Sequence, residues 1–152
     1  MIDRFERFSV AIAEISRYWH KLASEEMAKY GLKGSHAIYL TTLYRHESGM
    51  IAPQLCEACG KDKADVSRMM TIMENKGLVI KQSDNRNRYR GLLKLTESGK
   101  AAAEFVRERA RVAVELAGGQ LSEEMREVFY KSLELIAGNL RELSREGLPI
   151  NG

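Results

Sequence analysis

Three arginines at alternate positions stand in the stretch SDNRNRYRGLLKLTESG, residues 83 to 99. Arg86, Arg88 and Arg90 occupy a polar segment between two short apolar segments, and Asp84 is the acid nearest to them. Residues 81 to 94 hold five basic residues against one acid. On charge alone, this pattern fits either a segment that clamps phosphates or a solvated loop.

The basic residues of the chain are concentrated in its middle. Residues 31–100 hold twelve Lys and Arg against seven Asp and Glu, whereas residues 1–30 hold five of each and residues 101–152 hold seven against nine. The net charge of +3 therefore conceals a middle segment with five excess positive charges. A basic centre between neutral and acidic ends is typical of a local polyanion-binding face.

A second set of chemically useful residues lies in KDKADVSRMMTIMENKG, residues 61 to 77. Asp62 is the predicted N-cap of a helix, Asp65 stands where the acid of a capping box would bond back to it, and Gly77 ends the helix. Helical spacing predicts a buried face of Val66, Met69, Met70 and Met73. A soft ligand-binding lining is the less common alternative for these methionines.

The opposite face of this helix presents small, hydrogen-bonding and cationic residues: Lys63, Ala64, Ser67, Arg68 and Thr71. Such a face fits the major groove of DNA. Arg68 can donate two hydrogen bonds to a guanine edge, and Ser67 or Thr71 can reach a base or a phosphate. Lys63 is expected to help read or position the groove.

The neighbouring segments predict the elements that position this face. KGSHAIYLTTLYRH is a helix with Ser35 as its expected N-cap, and MIAPQLCEACG is a short helix with Pro53 in its first turn and Gly60 at its end. Two helices joined through Gly60 form a helix-turn-helix. LVIK and GLLKL then read as a two-stranded hairpin, a wing whose tip carries Arg86 and Arg88, with Arg90 further along.

Both ends of the chain predict long amphipathic helices. From about Asp3 to about Lys29, apolar residues recur at spacings of three and four: Phe5, Phe8, Ile12, Ile15, Trp19 and Leu22. A second helix begins at Thr96 or Glu97, and a third at Ser122. We expect these faces to form a bundle shared between two subunits, with an ordinary intrachain bundle as the alternative.

The predicted fold is therefore mainly α. Residues 31–99 form a winged helix-turn-helix with a two-stranded β-wing, and residues 1–30 and 100–152 form a helical dimerisation region. From about Phe5 to about Leu143, and most specifically in MENKGLVIK and LKLTESGK, the sequence resembles the MarR family of winged-helix regulators. One departure concerns the wing, where the family's Asp and Arg are replaced by Asn87 and Tyr89. Asp84 is then available to pair with Arg86 or Arg88.

The resemblance implies a homodimeric repressor that binds a pseudopalindromic double-stranded DNA site and responds to a small-molecule effector. Candidate effector residues near the dimer interface are Tyr18, His20, Tyr39 and Tyr44, which fit equally well as core or interface positions. Neither a cofactor nor a metal is expected. A cytoplasmic location is expected because no membrane-length apolar run and no secretory signal occur.

Two alternatives remain open from the sequence. Cys56 and Cys59 in CEAC could make a thiol-redox-responsive regulator, although both occupy apolar positions where cysteine behaves as a small hydrophobe. The long apolar stripes could instead belong to a helical protein-interaction module, with the basic hairpin incidental. An enzyme is not expected, because the sequence shows neither a phosphate-binding glycine loop nor a nucleophile or paired-carboxylate constellation.

Overall fold

The computed structural model describes residues 3–84 and 87–150, and at residues 84 and 87–90 it describes the backbone alone. The described residues form six α-helices, a 3-10 turn at Gly34–His36 and one antiparallel sheet. In chain order the elements are α1 (Arg4–Ala28), α2 (Ala37–Tyr44), α3 (Ala52–Cys59), α4 (Lys63–Asn75), β1 (Val79–Asp84), β2 (Asn87–Leu95), α5 (Glu97–Ala117) and α6 (Glu123–Glu146). The predicted fold class, a mainly α winged helix-turn-helix with long terminal helices, is confirmed.

Contacts divide the chain into two units, Met1–Arg111 and Val112–Gly152. The boundary falls within α5, and the first unit contains the helix-turn-helix and the hairpin. The assignment of residues 31–99 to DNA binding and of residues 1–30 and 100–152 to dimerisation stays a prediction. Among the helices described, we find none with the length and hydropathy of a bilayer-spanning segment.

The core of the first unit is built from the inward faces of α2, α3 and α4. Val66, Met70 and Met73 are buried, and Met69 is half-buried against the same cluster. The methionines of α4 therefore pack in the core, as their spacing predicted. Their fully buried neighbours include Leu40 of α2 and Leu55 of α3, so apolar burial fixes α4 against the two preceding helices.

Most of the predicted helix ends are confirmed. Pro53 lies in the first turn of α3, and Gly60 ends that helix in the left-handed conformation at φ 63°. The Asp62 carboxylate accepts a hydrogen bond from the Asp65 backbone N–H at 2.7 Å, which caps α4. The prediction for Ser35 is wrong. This residue lies inside the 3-10 turn, and the chain enters α2 from His36.

The wing strands are longer than predicted. Val79 pairs with Leu95, and the register continues to Ser83 opposite Gly91, after which it shifts so that Asp84 pairs with Asn87. The predicted apolar segments covered only part of each strand, because backbone pairing does not require apolar side chains. Met50 adds an isolated bridge to Leu93, with N–O distances of 3.0 and 2.8 Å.

The motif LTESG joins the end of α4 to the start of α5. The Thr96 hydroxyl donates to the Gly77 carbonyl at 2.6 Å and accepts from the Gly99 N–H at 3.0 Å, so Thr96 caps α5 as predicted. The Thr96 N–H donates to the Leu78 carbonyl at 3.0 Å. A Cβ at Gly99 would lie 2.0 Å from that same carbonyl oxygen, so only glycine fits this close approach.

The terminal helices form as predicted, and their apolar stripes are exposed in a single chain. On α1 the exposed residues include Phe5, Phe8, Ile12, Ile15, Trp19 and Leu22. On α6, which begins after the Ser122 cap, they include Met125, Val128, Phe129, Ile136, Leu140 and Leu143. Large apolar faces of this kind are typical of surfaces that another protein chain covers.

His36 is the one histidine of the described residues that is buried, at 2% exposure. Its Nδ1 accepts from the Lys33 backbone N–H at 2.8 Å, whereas its Nε2 has no hydrogen-bond partner among the described residues. Burial lowers the pKa of this imidazole, and the charges of Lys33 and Lys76 act in the same direction, against that of Asp65.

We expect stability to fall as the pH drops below about 6.5, the usual pKa of histidine. As the pH falls, His36 takes up a proton at a higher pH in the unfolded chain than in the folded chain. Lowering the pH therefore favours unfolding until the lower folded-state pKa is reached. Urea unfolding across this pH range should show the decline in wild type and a weaker one in His36→Asn. His20→Asn, at an exposed site, is the control and should keep the wild-type slope. An unchanged slope in His36→Asn would contradict the assignment.

Candidate nucleic-acid interface

The outward face of α4 carries the five residues that the sequence placed there. Each of them is exposed: Lys63, Ala64, Ser67, Arg68 and Thr71. The Thr71 hydroxyl donates to the Ser67 carbonyl at 2.9 Å, so this hydroxyl can still accept a hydrogen bond from a ligand. The face is polar and cationic over an apolar inner face, which is the arrangement of a groove-binding helix. Contact of these residues with DNA stays a prediction.

The structure corrects the prediction for Asp65. This side chain does not bond back to the backbone of the Asp62 cap. Its carboxylate accepts a hydrogen bond from the hydroxyl of Tyr39, a fully buried residue of α2. Its other oxygen lies 3.5 Å from Arg68 Nη2. Because the tyrosine lies 26 residues away in the chain, local helix spacing gave no signal for this contact.

These contacts hold Asp65 in its ionised form. The hydrogen bond from Tyr39 lowers the pKa of the Asp65 carboxyl, and the positive charges of Lys61 and Arg68 lower it further. Burial and the same hydrogen bond raise the pKa of the Tyr39 hydroxyl, which therefore remains a donor. At neutral pH the ionised Asp65 carboxylate therefore lies between the neutral phenol of Tyr39 and the guanidinium of Arg68.

Sequence reasoning also missed Ile72 on the exposed side of α4. This side chain is 37% exposed, four residues after Arg68. The same helical projection that located Arg68 would have found it. An exposed aliphatic side chain next to cationic and hydroxyl groups is suited to contact with a thymine methyl group.

The predicted wing arginines are only partly within the described structure. Arg86 lies outside the described residues. The backbone of Arg88 and Arg90 belongs to β2, between Asn87 and Gly91, where the strand register shifts. The side chains of both lie outside the described part, so their role in DNA binding stays a prediction. Lower on the hairpin, Lys81 is exposed on β1 opposite Leu93.

Comparison with known proteins agrees with this geometry. The model of the MarR family matches residues 30–88. A MarR transcriptional regulator from Methanosarcina mazei Go1 superposes with a TM-score of 0.82 at 24% identity, covering 91% of this chain and 99% of that one. This chain has the fold of the MarR winged-helix proteins. The matched residues begin just after α1, end within β2 and include all of α4.

Two further MarR-fold structures were determined with DNA. A putative MarR family regulator from Listeria monocytogenes, complexed with a 26mer DNA, has a TM-score of 0.79 and 21% identity, and the match covers 100% of both chains. The MepR–DNA complex of S. aureus has a TM-score of 0.77 and 21% identity, covering 87% of this chain and 97% of that one. At these identities the likeness is one of fold.

The four candidate effector residues of this chain have separate hydrogen-bonding environments. Tyr39 bonds to Asp65 of α4, as described above. The Tyr44 hydroxyl donates to Glu104 Oε1 at 3.1 Å, and the guanidinium of Arg107 lies 4.5 Å from its ring centre. On α1, the Tyr18 hydroxyl accepts from Arg17, and His20 Nδ1 lies 2.6 Å from the Ser16 carbonyl oxygen. An effector role for these residues stays a prediction.

The two cysteines of CEAC differ in their surroundings. Cys59 is buried, and its thiol donates to the Thr42 hydroxyl at 3.5 Å, whereas Cys56 is half-buried. Burial raises the pKa of the Cys59 thiol, which favours the unreactive protonated form. Within residues 3–84 and 87–150, no cluster of three or more His, Cys, Asp or Glu side chains is arranged to hold a metal ion.

Proposed function

We propose that this protein is a sequence-specific DNA-binding transcription regulator of the MarR family. The observation that carries the proposal is the exposed face of α4, where Lys63, Ser67, Arg68 and Thr71 lie over a buried apolar face in a helix-turn-helix followed by a wing. The relatives from Listeria monocytogenes and S. aureus, whose structures contain DNA, support the same use of this fold.

In the proposed complex, α4 enters the major groove. Arg68 donates to a guanine edge, Ser67 and Thr71 contact bases or phosphates, and Lys63 contacts a phosphate near the helix N-terminus. The wing lies beside this groove, where Arg86 and Arg88 bind phosphates or enter the minor groove. Base contacts determine the choice of sequence, whereas the phosphate contacts determine position and most of the salt dependence.

The active form in this proposal is a homodimer. Support comes from the exposed apolar stripes of α1 and α6, each of which would be covered by a second copy of the chain. A two-fold dimer presents two α4 helices to half-sites about 34–36 Å apart, one turn of DNA, or a multiple of that distance. Sedimentation equilibrium should give the mass of two chains, and a monomer at micromolar concentration would exclude this arrangement.

We further propose that the protein represses transcription and releases DNA when a small molecule binds. Such a switch requires the ligand to prefer one separation of the two DNA-binding units over the other. Supporting residues are the aromatic and histidine side chains of α1 and α2 already named. A screen of a diverse set of small molecules for compounds that reduce DNA affinity would test this part independently of DNA binding itself.

The proposed function is tested by a mobility shift on the intergenic DNA upstream of the protein's own gene. We expect a discrete complex that survives excess random competitor and weakens as salt rises. A complex lost completely to competitor would indicate non-specific binding only. No complex at low salt would leave the exposed helices as a protein-interaction surface and overturn the proposal.

For the wing, we expect Arg88→Ala to weaken binding to all DNA sequences by a similar factor. A residue that contacts phosphate contributes affinity without sequence choice, and its loss should reduce the slope of log affinity against log salt by about one unit. Arg145→Ala removes an exposed arginine of α6 and serves as the control. A change in sequence preference with the slope intact would assign Arg88 to base recognition instead.

A further inference from the structure

We propose that Tyr39 and Asp65 are positioning residues that fix the Arg68 guanidinium for base recognition. In this view a hydroxyl buried under the recognition helix determines how sharply the exposed face of α4 distinguishes bases. The inference rests on the proposed DNA-binding function and deepens it, because it assigns sequence selectivity to two residues that need not touch DNA.

The geometry forms a bridge from the core to the surface. Tyr39 is fully buried in α2, and its hydroxyl donates to one oxygen of Asp65. The other oxygen lies 3.5 Å from Arg68 Nη2, and the Arg68 side chain is 69% exposed. One carboxylate thus has an immobile partner on its inner side and the predicted base-reading residue on its outer side.

The carboxylate is free for this task because another acid caps the helix. Asp62 accepts the hydrogen bond from the Asp65 backbone N–H. Asp65 therefore has its backbone fixed by the cap and its side chain fixed by Tyr39. The lowered pKa of Asp65, caused first by the Tyr39 hydrogen bond, keeps the ion pair to Arg68 intact at neutral pH.

A fixed carboxylate changes the behaviour of an exposed arginine. An unsupported ion pair three residues apart on a helix surface contributes little, because holding two long side chains in one geometry offsets its Coulomb energy. Here one partner is already immobile, so less conformational entropy remains to be lost when Arg68 binds a guanine. Arg68 has five N–H donors, and pairing one nitrogen with Asp65 leaves donors for a bidentate contact.

The test is Tyr39→Phe, which removes one hydroxyl and changes no charge. Fluorescence anisotropy would compare binding to a selected site and to variants with each base pair replaced in turn. At the base pair that Arg68 reads, discrimination should fall about threefold to tenfold. The salt slope should stay at the wild-type value. In an Arg68→Ala background the same substitution should have no effect on discrimination.

Tyr30→Phe is the control. It removes the same group from a half-buried tyrosine that follows α1 and packs edge-on against Phe105 of α5, away from Asp65. Its discrimination should equal that of wild type. The proposal is overturned if Tyr39→Phe keeps wild-type discrimination, if it has an equal effect without Arg68, or if Tyr30→Phe reduces discrimination as much.

A second variant and a second readout separate this proposal from folding defects and from the proposed function. Asp65→Asn should lose the same discrimination while gaining affinity for random DNA, since it removes one negative charge. Carbon-13 NMR titration should show the pKa of the Asp65 carboxyl rising in Tyr39→Phe. A wild-type protein that prefers no DNA sequence overturns the proposed function and this role together. An unchanged Asp65 pKa overturns the positioning contact alone.

Discussion

Gly99→Ala is expected to destabilise the first unit by about 3 kcal/mol. The added methyl group would lie 2.0 Å from the Leu78 carbonyl oxygen. Neither side can move aside easily, because the same carbonyl accepts from the Thr96 N–H, and the Thr96 hydroxyl binds the Gly99 N–H. The substitution therefore forces apart the start of α5 and the segment that joins α4 to β1.

Gly138→Ala provides the matched control in α6. A Cβ there meets no heavy atom within 4 Å in a single chain. Replacing glycine by alanine inside a helix usually stabilises it, by about 0.5–1 kcal/mol. Urea unfolding followed by circular dichroism should give a strongly lowered midpoint for Gly99→Ala and an equal or higher one for Gly138→Ala. A wild-type midpoint for Gly99→Ala would show that the junction is looser than the structure indicates.

Arg68→Ala is expected to weaken specific DNA binding by about 1 to 3 kcal/mol and to relax sequence choice at one position. The physical reason is the loss of a bidentate contact to a base edge, which discriminates between bases, whereas a phosphate contact does not. Affinity for random DNA should change much less than affinity for the selected site. The ratio of the two affinities is therefore the quantity to measure.

Arg145→Ala is the control for this substitution. Arg145 is 71% exposed on α6 and pairs with Glu142 at 3.7 Å, three residues earlier, which closely matches the 69% exposure and the Asp65 pair of Arg68. Each variant removes one exposed arginine that pairs with an acidic residue on the same helix. Only Arg68→Ala should alter the sequence profile, and an unaltered profile would exclude Arg68 as a base-reading residue.

Much of the exposed face of α4 was predictable because it depends on local periodicity. The spacing of Val66, Met70 and Met73 determines which side of α4 is buried, and that side determines which residues are exposed. Helix ends followed from residues whose preference is intrinsic, such as Pro53 and Gly60. These signals lie within a few residues of the feature that they specify.

Features that depend on contacts between distant residues were not predictable. The hydrogen bond between Tyr39 and Asp65 joins two helices, and sequence spacing does not encode it. The Asp65 carboxylate makes this contact in place of the expected capping box. The bridge from Met50 to Leu93 likewise joins residues that are far apart in the chain. The polar residues at the outer ends of β1 and β2 were read as a turn, because backbone pairing does not require a periodic apolar pattern.

An anisotropy titration of the wild-type protein tests most directly whether the exposed face of α4 recognises a DNA sequence. Affinities for a selected site and for a scrambled duplex of equal length would be measured across salt concentrations. The site should bind at least about 10³-fold more tightly. Both affinities should fall by roughly three to five decades between 50 and 200 mM salt if about 6 to 10 phosphates are contacted. Equal affinity for the two duplexes, or binding that salt does not weaken, would contradict the account.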